Sequence, residues 1–144
     1  MKQPRISLFA AISFAALVAT SCASTGDMMP GSSVKLDGSQ EVPPVTSSAT
    51  GSGSIMVAAD KSVSGSVTTT GIDAKAAHIH QAAPGVNGGV IVPLTKSGDA
   101  TWSVPPGAKL TDEQYASYQA GNMYVNVHSA ANPGGEIRGQ LNSK

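Results

Sequence analysis

Turn-forming residues cut this chain into pieces too short for long helices. Asp60-Lys61-Ser62, Pro84-Gly85, Asn87-Gly88 and Ser97-Gly98-Asp99 separate runs dominated by Val, Ile and Thr. β-Branched side chains fit a pleated, half-buried surface, and short runs of them bounded by Gly, Pro, Asn and Asp read as strands. Residues 51–59 and 63–70 form a hairpin across Asp60-Lys61-Ser62. Further strands are expected at 76–81, 89–94 and 100–104, with a weakly alternating one at 33–39. QEVPPV, residues 40–45, is extended, but its prolines lack the N–H that a central strand must donate. NMYVNVH, the polar turn SAANPGG and EIRGQL close the chain as another hairpin. Strands at this spacing specify an all-β sandwich or barrel of about seven or eight short strands.

One helix interrupts the pattern, at LTDEQYASYQAG, residues 110–121. Thr111 is the N-cap with Gln114 at N3, a capping box in which each side chain covers the other's free backbone N–H. Leu110 and Tyr115 are placed for a hydrophobic staple, and Gly121 ends the helix at C′. The helix is a short crossover covering one end of the sheet, and its tyrosines are packing residues.

The first 21 residues do not belong to this fold. Lys2 and Arg5 precede an apolar stretch from Ile6 to about Thr20, the layout of an export signal. That stretch is short for a membrane span, which needs roughly 18 or more apolar residues. Val18-Ala19-Thr20-Ser21-Cys22 looks like the junction at which bacterial lipoprotein signals are cut, although Ala19 stands where leucine is usual; the alternative is an ordinary signal peptide cleaved after small residues. Lipidation would consume Cys22, the only cysteine, and Ala23 after it favours the outer membrane, so the expectation is an exported, periplasmic or cell-surface lipoprotein held to the membrane by its lipid alone. Residues 22–33 read as a flexible Gly/Ser-rich tether, and residues 34–144 as one domain.

Of the nine Lys and Arg, Lys2 and Arg5 leave with the leader, so seven face nine acidic residues. With few aromatics and no basic stripe, the chain lacks the electrostatic footprint of a nucleic-acid binder. No nucleophile elbow or phosphate-binding glycine loop is present. Nothing in the sequence identifies a protein partner or an oligomeric state.

The remaining chemistry lies in three histidines. Alternate strand residues share a face, so His78 and His80 stand together opposite Ala77 and Ile79, about 6.5 to 7 Å apart at the backbone. In YVNVH the same parity sets Tyr124, Asn126 and His128 opposite Val125 and Val127. Both histidine faces are expected to point outward. If the two strands adjoin, three imidazoles could hold one ion, copper being favoured by affinity and zinc by tetrahedral closure. Three protein ligands would also leave one position open. Separately, each histidine is an ordinary polar residue on a strand's outer face. Glu136 and Arg138 share a face around Ile137; Glu136 could orient a ligand histidine, or the two could form a surface pair. Glu41 has the same ambiguity.

LDGSQEVPPVTSSATGSGS, AAHIHQAAPGVNGGVIVPL and YVNVHSAANPGGEIRGQL, in this order, resemble the CHRD domain, first described in chordin and widespread in bacterial exported proteins. The resemblance covers about residues 34–141. It implies an immunoglobulin-like or related Greek-key sandwich, with His78, His80, His128, Glu41, Glu136 and Arg138 on signature positions. It implies no activity. A fainter likeness, His-x-His on a strand with a late histidine and an arginine-bearing glycine segment, is to copper-zinc superoxide dismutases; the zinc-loop histidines and the cysteine pair are missing, so such an enzyme would be copper-only. Three functions therefore stand as expectations: metal binding, buffering or delivery; copper-dependent redox catalysis; and a metal-free interaction module.

Overall fold

The computed structural model describes residues 31–143. The leader, Cys22 and the tether up to residue 30 lie outside them. Nine strands and one helix follow in chain order: β1 (Ser32–Asp37), β2 (Thr50–Val57), β3 (Val63–Thr70), β4 (Ala74–Gln81), β5 (Gly89–Pro93), β6 (Thr95–Lys96), β7 (Thr101–Ser103), α1 (Asp112–Gln119), β8 (Met123–Ser129) and β9 (Ile137–Gln140). The all-β expectation holds, with nine strands where about seven or eight were expected. The addition is β6, two exposed residues whose polarity gives no strand signal.

All pairings are antiparallel, in the order β5-β4-β8-β9-β1-β2-β3-β7-β6. The two outermost strands, β5 and β6, are consecutive in the chain and joined by Leu94. Leu94 itself donates its N–H to Ala77 O on β4, at 2.9 Å, while Thr95 already pairs with Ser103 on β7. One segment thus borders both ends of the sheet, which curls into a nearly closed barrel. Closure removes exposed edges that would otherwise pair with other chains.

The interior is filled by alternate residues of each strand: Val34 and Leu36, Ile55 and Val57, Ala77 and Ile79, Val125 and Val127 are all buried. The 51–59/63–70 hairpin forms in register, Val57 opposite Val63. Helix α1 covers one end and contributes Tyr118 to the core. Its capping box is present: Gln114 N–H donates to Thr111 Oγ1 at 3.2 Å, and Thr111 N–H to Gln114 Oε1 at 2.9 Å. Gly121 takes φ +76°, as the C′ position requires.

The other face of β4, β8 and β9 differs from expectation. The polar residues read as outward are not solvated: Tyr124 and Asn126 are each 2% exposed and Arg138 is 1% exposed. Three loops fold over them. Asn87 Nδ2 donates to Val42 O at 2.7 Å, tying the 82–88 loop to the proline stretch, and Gln140 Nε2 donates to Ala82 O at 3.0 Å. This part of the sheet therefore has an apolar layer inside and a covered polar layer outside, in which His80 is buried and His78 and His128 are half-buried.

Candidate metal centre

The pairing of β4 with β8 decides whether the three histidines meet. His78 stands opposite Asn126, His80 opposite Tyr124, and Ala76 opposite His128. His128 is thus diagonal to His78 on the same face, a separation that long side chains span. Register shifts bracket the segment: Lys75 is an extra residue between Ala74 and Ala76, and Ile91 on β5 is extra between the partners of Ile79 and His80. Bulges of this kind raise local twist and re-aim side chains.

The rings converge. Centroids lie 4.9 Å apart for His78 and His128, 5.6 Å for His78 and His80, and 6.0 Å for His80 and His128. One nitrogen from each falls within 4.8 Å of the others.

Hydrogen bonds fix which nitrogens are free. His80 Nδ1 donates to Gly88 O and His128 Nδ1 to Pro133 O, each at 3.0 Å. A neutral imidazole has one donor and one acceptor nitrogen, so both rings keep an Nε2 lone pair. His78 Nδ1, 3.0 Å from His128 Nε2, must then be the donor between them. His80 Nε2 is buried with no partner at all, an arrangement costly in a folded protein unless something occupies it.

Electrostatics keep the rings neutral. Burial is the first cause in each case and depresses proton affinity; for His78 the neighbouring His128 and His80 add to it. For His80 the Gly88 carbonyl opposes burial, while His128 and Arg138 reinforce it; for His128 the Pro133 carbonyl opposes it. Neutral imidazoles present lone pairs at ordinary pH.

Behind the cluster, Tyr124 stacks on His80 at 4.9 Å with the rings 11° from parallel, and the Arg138 guanidinium lies 3.5 Å from the Tyr124 ring centroid. β8 runs between β4 and β9, so Tyr124 links Arg138 to the histidines. The Arg138 head is held by Asn87 Oδ1, Ala83 O and Gln140 Oε1 at 3.2 to 3.4 Å. Glu41 accepts from Asn126 Nδ2 at 3.1 Å. Glu136 stands apart: its carboxylate accepts from Ser47 Oγ at 2.7 Å and from Ser129 Oγ, bonds that lower its proton affinity. The carbonyls of Gly88 and Pro133, and no carboxylate, orient the ligand candidates. With these separate partners, Glu136 and Arg138 do not form the surface pair that their shared strand face allowed.

Sequence reasoning gave Tyr124, Asn126, Gly88 and Pro133 no role in the site, reading the last two only as turn residues. Parity had placed Tyr124 and Asn126 on the face of His128, and that was the signal available. The two carbonyls carry none, because any residue has one.

No curated protein and no solved structure matches the chain. The family model of the CHRD domain matches residues 32–141, from the first strand through the last and across every residue of the histidine cluster. The chain belongs to the CHRD domain family.

Proposed function

We propose that this CHRD-domain chain is an exported, lipid-anchored protein that binds one transition-metal ion, copper in preference to zinc, through His80 Nε2, His128 Nε2 and His78 Nδ1, for binding, buffering or delivery. The observation that carries the reading is the convergence of all three histidines of the chain to within 4.8 Å. The unpartnered Nε2 of His80 supports it. So do the two Nδ1–H bonds to backbone carbonyls, since ligating histidines characteristically donate their other N–H to such an acceptor.

Two nitrogens about 2.0 to 2.1 Å from one ion lie about 2.9 Å apart at a right angle and about 3.4 Å apart at a tetrahedral one. The 3.0 Å hydrogen bond between His78 Nδ1 and His128 Nε2 already holds this pair of nitrogens at a separation within that range, and copper is preferred on affinity. Binding would transfer the His78 proton from Nδ1 to Nε2 and exchange the bond to His128 for two coordinate bonds.

Copper titration of the metal-free protein followed by EPR tests the reading. One equivalent is expected to bind with nitrogen ligation and to be lost in H78A/H80A; absence of stoichiometric binding, or binding unchanged in that variant, refutes it. Because three ligands leave a coordination position open, a superoxide assay on the loaded protein separates carrier from enzyme: the carrier is inactive. The leader and Cys22 support the lipid anchor, which requires incorporation of labelled fatty acid that Cys22→Ser abolishes.

A further inference from the structure

Two buried oxygens beside the histidine cluster have no hydrogen-bond partner: Glu41 Oε1 and Asn126 Oδ1. They belong to side chains already in contact, through Asn126 Nδ2 and Glu41 Oε2 at 3.1 Å. Both also face one spot. A Cβ built on Gly135 would lie 2.8 Å from Glu41 Oε1 and 2.6 Å from Asn126 Nδ2, and would press on Asn126 Oδ1 as well. The Gly135 backbone is thus packed directly on the pair, with no space for water between.

Two oxygens offering only lone pairs repel each other, and leaving both unsatisfied costs about 1 to 3 kcal/mol apiece. A hard divalent cation between them would need about six or more oxygen ligands, and only two are offered. One proton suffices. A carboxylic acid and a carboxamide close a ring in which the acid O–H donates to the amide oxygen and the amide N–H donates to the acid carbonyl. The observed Nδ2-to-Oε2 bond is half of that ring, and the two orphan oxygens, both packed against Gly135, are the atoms the other half would use.

We propose that Glu41 is a carboxylic acid at neutral pH, closed in a cyclic pair with Asn126, and so stores a proton in the wall of the histidine site. Its surroundings agree. Arg138 on β9 spends its donors on Asn87, Ala83 and Gln140 and gives none to Glu41. Its field favours the carboxylate, but burial outweighs both it and the Asn126 bond and raises the proton affinity of Glu41. The histidines of β4 and β8, His78, His80 and His128, are all kept neutral, and none of them shifts Glu41. The covering turn, residues 131–135, contains no titratable group. Asp37, before the turn that leads into Glu41, is occupied by Ser39 and Gln40.

Asn126 stands opposite His78 in the sheet, so the proton is one side chain from the cluster. A divalent ion at the histidines would favour the carboxylate and release that proton on loading. This consequence rests on the metal reading; the acid–amide pair does not.

Carbon-13 NMR of the metal-free protein, labelled at the glutamate carboxyls, tests the pair. The chain has three glutamates, Glu41, Glu113 and Glu136, and E41Q identifies the resonance in question. Glu41 is expected to show the resonance of a protonated carboxyl at pH 7. E41Q, whose amide reproduces both bonds of the protonated acid without taking up a proton on folding, is expected to match or exceed the folding equilibrium of wild type at pH 7. A Glu41 carboxyl already ionised at pH 7, as a carboxylate bridged by water would be, overturns the proposal. So does a loss of tenfold or more in the unfolding equilibrium of E41Q at pH 7.

Discussion

Replacing Gly135 by alanine should cost far more than replacing its neighbour Gly134. Gly135 has φ +131°, a region that glycine enters freely and alanine does not. Holding a residue in so sparsely populated a conformation costs about 1 to 3 kcal/mol. The methyl group would also stand 2.6 Å from Asn126 Nδ2 and 2.8 Å from Glu41 Oε1. Neither side chain can move aside: Asn126 is 2% exposed and Glu41 5%, and each holds the other. Overpacking a tight site adds about 1 to 3 kcal/mol, so G135A should lose about 2 to 6 kcal/mol in all. At Gly134 a Cβ would meet nothing within 4 Å, and G134A should stay within about 0.5 kcal/mol of wild type. Urea denaturation reads both, through the fluorescence of Trp102, the single tryptophan, which is 5% exposed. A loss below about 1 kcal/mol in G135A, or equal losses in the two variants, would refute the account of a turn packed directly on the Glu41–Asn126 pair.

Stability of the metal-free protein should decline as pH falls below about 6.5, the ordinary histidine value. Burial lowers the proton affinity of all three imidazoles, so the unfolded chain takes up protons that the folded one refuses, and the stability present above that pH is lost towards the folded values. The slope has a ceiling of about 1.4 kcal/mol per pH unit for each histidine, and a flat profile from pH 7 to 5 in urea titrations contradicts it. Glu41, shifted upward, acts oppositely, its contribution being lost as pH rises through its folded value; E41Q should therefore steepen the acid decline, which the same titrations measure. Copper at about a hundred times its Kd should raise stability by about 2.7 kcal/mol, a thermal shift absent from H78A/H80A in calorimetry. Thr111→Ala removes the N-cap oxygen that accepts from Gln114 N–H and should cost about 1 kcal/mol, measured by the same denaturation, without changing metal binding.

Much of this was legible because strand parity and turn chemistry are local. Alternation put Ala77, Ile79, Val125 and Val127 in the core before any fold was known, and the capping box at Thr111 and Gln114 fixed the start of α1. Adjacency was not legible. That β8 pairs with β4 is a contact across half the domain, and no residue in either strand encodes its partner. The same limit explains the polar face. HIH and YVNVH contain residues that look solvated, and only the fold shows that the 82–88 and 131–135 loops lie over them. The extra residues Lys75 and Ile91 left no mark either, since neither is a glycine or proline.

The buried polar layer explains why the covering loops are so rich in glycine. Imidazole, amide and guanidinium groups withdrawn wholly or partly from water need partners, and here several are backbone atoms of those loops: Gly88 O for buried His80, Pro133 O for half-buried His128, Ala83 O for Arg138. Main chain can reach a side chain this closely only where its own side chains do not intervene. A Cβ on Gly88 would collide with the Gln81 carbonyl, and one on Gly135 with the Glu41–Asn126 pair. The Asn87-Gly88 and Pro133-Gly134-Gly135 segments, which read as turns in the sequence, thus hold the imidazoles by their carbonyls and fix which nitrogen of each ring stays free. The specificity of the site lies as much in these backbone positions as in the three histidines, and a loop change that kept every histidine while shifting the Gly88 or Pro133 carbonyl would release a ring to rotate and disperse the cluster.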